Sequence, residues 1–426
     1  MKHTQSAATL FALGLLAPLA LLACGRAESA VLSSQGDEAR APEPEPLAAL
    51  VDAPLAAQRK RLLELSFEAA SKMPSAPHVK NRSRAQEGVV SAVLRLGQAR
   101  QALEASAQID NWRRGTAYAA LALHEAAAGH AAAARRCLAL AQEVHAEALE
   151  QDEQEWRADR LLARISQVKW ALGDIEGALA LEREIDAAEL ADLVAAKARD
   201  AAAEDYEAQF AELERLVGTG DFNLTRNALA VGAALHDRFY DNEARRAQLE
   251  AWITTAWKPL PIDLRIDLVE RIVANAEARG DAARGREMTA LVAQLADQVS
   301  WTPELRIAVQ ARLAKLLLRV GQSELALQRL GAALDLFSAE RERIFDVFRA
   351  GALRPVAEAY AAAGQTDAAL SVFRLAVEEG ALNPNSRPKA EDLAATCCAL
   401  AESGLVLDDE FMARMEAISN GLAAPW

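Results

Sequence analysis

Gly97, Gly129, Gly173, Gly280, Gly321 and Gly364 each interrupt a run of apolar residues at helical spacing. Five residues after them stand Ala102, Ala134, Ala178, Gly285, Ala326 and Ala369. Eight residues before them stand Val89, Leu121, Ile165, Ile272, Leu313 and Val356. The positions seven before and twelve after are also small or aliphatic in all six copies, from Val90 and Ile109 in the first to Ala357 and Ala376 in the last. Such a repeat constrains the fold strongly, because one unit cannot bury its apolar face alone and must stack on the next. The pattern is that of a helical hairpin. The Gly ends helix A by accepting a left-handed backbone. The small residue one turn into helix B lets the two helices approach closely, and the aliphatic column of helix A faces its neighbours.

The glycines are 32, 44, 107, 41 and 43 residues apart. The long interval has room for an extra, degenerate hairpin pair, with one turn at residues 236–242. Composition agrees with an all-α chain. The 426 residues include only 21 Gly and 14 Pro and are 5% aromatic, too few turn and ring residues for an all-β domain. Four cysteines exclude a disulfide scaffold. Helices are expected over about 47–72, 80–96, 98–109, 112–128, 131–149, 152–171, 175–217 with a break near 186, 222–236, 242–256, 262–279, 282–298, 302–320, 323–337, 341–363 kinked near Pro355, 366–379, 388–403 and 408–420. Stacked, these hairpins form a superhelix over 47–426 with no classical domain boundary.

The combination of a small residue, Gly seven later, Ala five after that and a small residue seven further on resembles the tetratricopeptide repeat and its longer relatives. Ala122, Gly129, Ala134 and Ala141 carry the pattern, as do Ala357, Tyr360, Gly364, Ala369, Phe373 and Ala376. The resemblance covers roughly residues 80–405. It departs from the family in its period, mostly 41–44, and in lacking the Pro that closes a repeat; HEAT-like and other α-α solenoids have similar periods. It implies a tetratricopeptide-like α-α superhelix (solenoid) with a concave groove lined by helix A. The groove positions lie two, three and six before the Gly, from Arg95, Leu94 and Ser91 in the first repeat to Ala362, Ala361 and Glu358 in the last. They are mostly small and apolar, and the Lys/Asn/Arg clamp that some family members use is not visible. Arg95, Trp170, Lys315 and Arg319 on this face, with the aromatic pair Trp252 and Trp257, are the candidate partner-binding residues.

Residues 1–23 carry one charge, Lys2, ahead of an apolar or small stretch over 6–23. That reads as an export signal rather than a transmembrane anchor, which eighteen residues containing Pro18 would barely form. Leu21-Leu22-Ala23-Cys24 resembles the lipobox of bacterial lipoproteins, which implies lipidation of Cys24 after removal of 1–23. The alternative is ordinary cleavage near Ala27-Glu28-Ser29. Gly25, rather than Asp, after the Cys implies an outer-membrane address. Residues 24–46 are the lipidated Cys and a small, polar, Pro/Glu-alternating tether; its 22 residues after Cys24 span roughly 25 Å as a flexible coil. Formal net charge is −14 and becomes −15 without residue Lys2. An acidic body is repelled by nucleic acid and anionic head groups, so no nucleic-acid partner is expected, and lipid must hold the chain at the membrane.

Fifteen residues before the repeat Gly lies an Arg in five copies: Arg82, Arg114, Arg265, Arg306 and Arg349. It is either a basic ladder for an acidic partner or a structural pair at each helix A start, the simpler reading of a repeated residue. Trp112, Trp156 and Trp301 at hairpin junctions read as packing staples. No catalytic or metal motif is found. In His124-Glu125…His130 the second His is at i+6 rather than i+4, past the helix-ending Gly129. Gly218-Thr219-Gly220 is a turn, and Cys137, Cys397 and Cys398 read as small buried hydrophobes. No cofactor is expected. The expected function is that of a membrane-tethered scaffold, periplasmic or cell-surface, binding an envelope protein or peptide in the groove. The alternatives are a glycan or substrate receptor at the outer membrane, and an envelope enzyme built on a helical superhelix.

Overall fold

A computed structural model of the chain describes residues 50–150, 154–186 and 189–426. The signal-like stretch, Cys24 and the Pro/Glu tether lie outside the described residues. Among those described, the fold is all-α, with nineteen helices packed in sequence and no strand. Their order is α1 (Ala57–Ser71), α2 (Ser75–Arg95), α3 (Ala99–Ser106), α4 (Arg113–Ala127), α5 (Ala131–Glu150), α6 (Glu155–Ala171), α7 (Ile175–Glu182), α8 (Ala191–Arg199), α9 (Tyr206–Gly218), α10 (Phe222–Arg238), α11 (Glu243–Ala256), α12 (Ile262–Ala278), α13 (Ala282–Asp297), α14 (Pro303–Arg319), α15 (Ser323–Glu340), α16 (Asp346–Ala362), α17 (Thr366–Ala381), α18 (Ser386–Ser403) and α19 (Asp409–Asn420).

The repeat columns explain the packing. All six column glycines have φ between +69° and +82°, so each ends its helix in the left-handed region where a side chain is strained. Behind each, the Gly amide and the next one bond back onto the last turn, as in Gly129 N–H to Ala126 O at 3.0 Å and His130 N–H to Glu125 O at 2.8 Å. Every residue of the four flanking columns is buried, from Val89 and Val90 to Ala369 and Ala376. The small column is small for a reason: a Cβ on Gly285 would lie 2.8 Å from Cγ1 of Val320. Ser166, the one polar member, donates its hydroxyl to the carbonyl of Ala178 at 2.9 Å, tying helix A to helix B.

The even-numbered helices form an inner layer. Each packs on the next, from α2 through α4, α6, α8, α10, α12, α14 and α16 to α18, and α18 packs on α2. The superhelix therefore closes into a ring. α1 does not extend the array outward; it packs along α18, where a helix B would stand. Leu62, Leu63 and Leu65 of α1 share one apolar core with Leu393, Cys397 and Leu400 of α18 and with Phe411 of α19. Polar ties cross the same seam: Arg59 Nε–H to Ala401 O at 2.6 Å, Lys72 Nζ to Ser419 O at 2.8 Å, and Arg61 to Glu416 at 2.9 Å.

Three expectations change. The expected helix 47–72 begins at Ala57, because residues 50–56 run along the tip of α2, where Ala53 N–H bonds Gly97 O at 2.9 Å. The stretch 175–217, expected to break near 186, does so between Glu182 and Ala191 but breaks again after Arg199, so it is three helices and the long interval holds α8–α11. No Gly or Pro marks the first break. Ile185 leaves the helix to pack on Leu162 and Ala163, and Asp159 accepts the freed Asp186 N–H at 3.1 Å. The third is α16, which starts at Asp346 and runs unbroken through Pro355. Among the described residues no helix is long and apolar enough to cross a membrane.

Candidate functional site

The nine inner helices, each packed on the next, enclose an interior space. Into this space the helices turn one stripe each, and the stripe is charged. Several neighbouring pairs of inner helices are cross-linked by ion pairs. Arg113 (α4) meets Glu87 (α2), Arg164 (α6) meets Asp192 (α8) at 2.9 Å, and Arg312 (α14) meets Asp267 and Glu270 (α12). Lys315 (α14) meets Glu358 (α16) at 2.6 Å, and Arg95 (α2) meets Glu402 (α18) at 2.6 Å across the seam. Arg160 of α6 reaches Glu189, just before α8, at 2.9 Å.

Within the ring lies a cleft of about 490 Å³ lined by side chains from α2, α4, α6, α8, α10 and α12. Its volume falls in the range of small-ligand sites. Five arginines face it: Arg113, Arg160, Arg164, Arg226 and Arg271. The four acids among them, Glu87, Glu189, Asp192 and Asp267, are each engaged by an arginine. Arg226 of α10 and Arg271 of α12 have no acid partner among the described residues and are exposed to the cleft. Inside a chain of net charge −14 this is a locally cationic wall. A second cleft of about 290 Å³ opens between α16, α18 and α2, beside Arg354 and Cys398.

The predicted partner-binding residues are placed as follows. Arg95 and Lys315 belong to the ion-pair belt, and Arg319 reaches Glu277 at 3.6 Å. Trp170 donates its indole N–H to Asp200 at 3.0 Å under Lys197. Trp252 is half-buried; its ring covers Gly232, where a Cβ would come within 2.6 Å, and it borders a cleft with Phe222. Trp257 is 3% exposed and packs in the core with Leu260 and Ile266, so it presents no surface to a partner, and the two rings do not form an exposed pair. Of the expected groove positions, Gln167 lines the large cleft and Arg95 and Glu358 the second. The large cleft also extends along the same helices to nine to sixteen residues before the Gly, at Arg113, Thr116, Arg160, Arg164, Asp267 and Arg271. Stepping the same helix face back by three and four residues reaches these positions.

The arginine column binds locally. Arg265 donates to Leu260 O at 2.9 Å and Lys258 O at 2.6 Å; Arg349 donates to Ile344 O at 2.9 Å; Arg82 donates to Ser75 Oγ at 2.9 Å; Arg114 meets Glu147. Arg265 and Arg349 thus hold the loop that leads into helix A, whereas Arg114 ties helix A to α5. Trp112 and Trp156 pack edge to face at 5.8 Å, and Trp301 N–H caps Ala296 O at 2.9 Å. Cys137, Cys397 and Cys398 are buried free thiols, and burial pushes the Cys398 thiol up to about 11. A buried polar chain, not foreseen, links four helices. Asn275 donates to Nδ1 of His236 at 3.1 Å, His236 Nε2–H then faces Glu250 at 3.0 Å, and Arg284 holds the same carboxylate.

Among the described residues no group of three or more His, Cys, Asp and Glu side chains is placed to hold a metal. Compared with models of known protein families and with curated proteins, the chain matches none.

Proposed function

We propose that this chain is an exported, lipid-anchored binding protein of the tetratricopeptide-like class, whose inner helix face receives a segment of an envelope partner. The observation that carries the reading is the interior cleft, where side chains from six inner helices converge on one solvated space. A stacked array of hairpins turns its repeated helix A toward one surface, and that surface is where recognition by such folds takes place. The closed ring sharpens the mode: the partner contributes one helix or one extended segment that docks on the inner face. The lipobox-like Leu21-Leu22-Ala23-Cys24 supports anchoring through Cys24 at the outer membrane, facing the periplasm or the cell surface.

A photo-crosslinking residue at Gln167, inside the cleft, should capture a partner in intact cells, whereas the same residue at Glu207 on the outer helix α9 should not. No adduct from Gln167 above the Glu207 level contradicts the reading. For the anchor, radiolabelled palmitate should enter the chain and should be lost with Cys24→Ala; unchanged labelling in that variant removes the lipoprotein assignment.

A further inference from the structure

The interior cleft has its own chemistry, independent of any partner protein. We infer that it is a binding site for a small oxyanion, a molecule bearing carboxylate or phosphate groups, held between Arg226 of α10 and Arg271 of α12. Three observations lead there. The first is the charge balance of the lining. Each acid that faces the cleft is taken by a guanidinium: Glu87 by Arg113, Glu189 by Arg160, Asp192 by Arg164 and Asp267 by Arg312. What is left over is cationic, on two adjacent helices that line the same space. The second is chemical. A guanidinium presents a rigid fork of donors that matches carboxylate and phosphate oxygens, so two free forks in one cleft select an anion with several such oxygens. The third is size and enclosure. About 490 Å³ accommodates a small organic anion, and Ala230 and Leu264 beside the two arginines supply an apolar wall for its carbon skeleton.

The contrast within the ring is informative. Arg95, Arg160, Arg164, Arg312, Lys315 and Arg319 also lie on inner helices, yet each meets an acid of a neighbouring element. Those pairs stitch the ring. Arg226 and Arg271 stitch nothing, and both are exposed to the cleft. The second cleft has Arg95 taken by Glu402 and a single arginine, Arg354, without a salt bridge among the described residues, so of the two only the large cleft presents two such guanidiniums.

The test uses the full chain and two probes, citrate for carboxylates and inorganic pyrophosphate for phosphates, titrated calorimetrically at low salt. At least one probe should bind saturably at one site. Arg226→Gln and Arg271→Gln should each weaken it about tenfold, which is 1.4 kcal/mol, and the double variant should abolish it. Arg215→Gln, on the outer helix α9, should change nothing. In about 1 M salt, where the Debye length is roughly 3 Å, binding should weaken strongly. Citrate alone identifies a carboxylate site, pyrophosphate alone a phosphate site, and both a general oxyanion site; each supports the inference. Binding of neither probe, or binding that survives the double substitution with the thermal midpoint unchanged, overturns it. Because the readout is a small anion, the partner-binding reading can fail while this site stands, and the reverse.

Discussion

Gln58 donates its side-chain amide to the carbonyl of Leu407 at 2.7 Å and accepts the amide N–H of Leu407 at 2.9 Å, joining residues 349 apart in sequence. Local helix formation cannot bring these two groups together. Their pairing lies at the seam where α1 packs along α18, and it marks the chain as a ring rather than an open array. An open array frays from its ends, because each terminal repeat has one neighbour. In the ring the first and last inner helices are neighbours of each other. Amide exchange in α1 and α18 should therefore occur only by global unfolding, as slowly as in α14. Exchange at both termini that is orders of magnitude faster than in α14 would contradict closure.

Two glycines inside helices should respond with opposite sign. A Cβ on Gly232 would meet Trp252 Cζ3 at 2.6 Å, and the ring is wedged against Phe210 at 5.9 Å. Gly232→Ala should cost about 1–3 kcal/mol by overpacking. Gly331 in α15 has nothing within 4 Å of such a Cβ. Gly331→Ala should stabilise by about 0.5–1 kcal/mol, since the helix interior favours Ala over Gly. Urea midpoints of the two variants against the parent decide both.

Burial pushes the carboxyl of Asp392, in α18 beside Gly380, up to about 7. The folded state therefore holds a proton that the unfolded chain releases near pH 3.8. Stability from this group is fully present below that value, declines as pH rises, and is lost by about pH 7. Asp392→Asn should remove that decline and raise stability above pH 7 by on the order of 2 kcal/mol. An identical stability–pH profile for the variant would show that Asp392 is ionised in the fold.

Glu250 behaves in the opposite sense. Burial alone would raise its pKa, but hydrogen bonds from His236 and Arg284 outweigh burial and hold it below the usual range. Its contribution is present at neutral pH and lost as pH falls through the lowered folded value. Glu250→Gln leaves Arg284 with only the exposed Glu287 and should cost about 2–3 kcal/mol at neutral pH, with the difference from the parent shrinking in acid. A constant difference across pH would exclude the charge as its source.

What could be read ahead of the structure followed the physics of near neighbours. The glycine tips and the four small or aliphatic columns depend on contacts within one hairpin or between adjacent ones, and such contacts leave a period. Three features left no local trace. The second break in the 175–217 stretch, after Arg199, falls among Ala, Lys and Arg residues that favour helix. Burial of Trp257 depends on α12, which it precedes, and an aromatic pair on its own does not reveal which ring is covered. Closure depends on pairs such as Arg59 and Ala401, 342 residues apart. The cleft arginines lay on the predicted face but beyond its assumed end, and what distinguishes Arg226 and Arg271 from their neighbours is the missing partner, which only three dimensions disclose.

Closure of the ring creates the interior on which both the cleft and its ligand depend, so it is the point to measure. Carbodiimide joins lysine and carboxylate side chains only when they touch. Lys315 and Glu358, 2.6 Å apart on adjacent helices, supply an internal standard. In an Arg95→Lys variant treated with the reagent and digested, mass spectrometry should find an isopeptide between position 95 and Glu402 at a yield like that of Lys315–Glu358. A chain that gives the Lys315–Glu358 link but none between position 95 and Glu402 is an open superhelix, and the enclosed cleft does not exist.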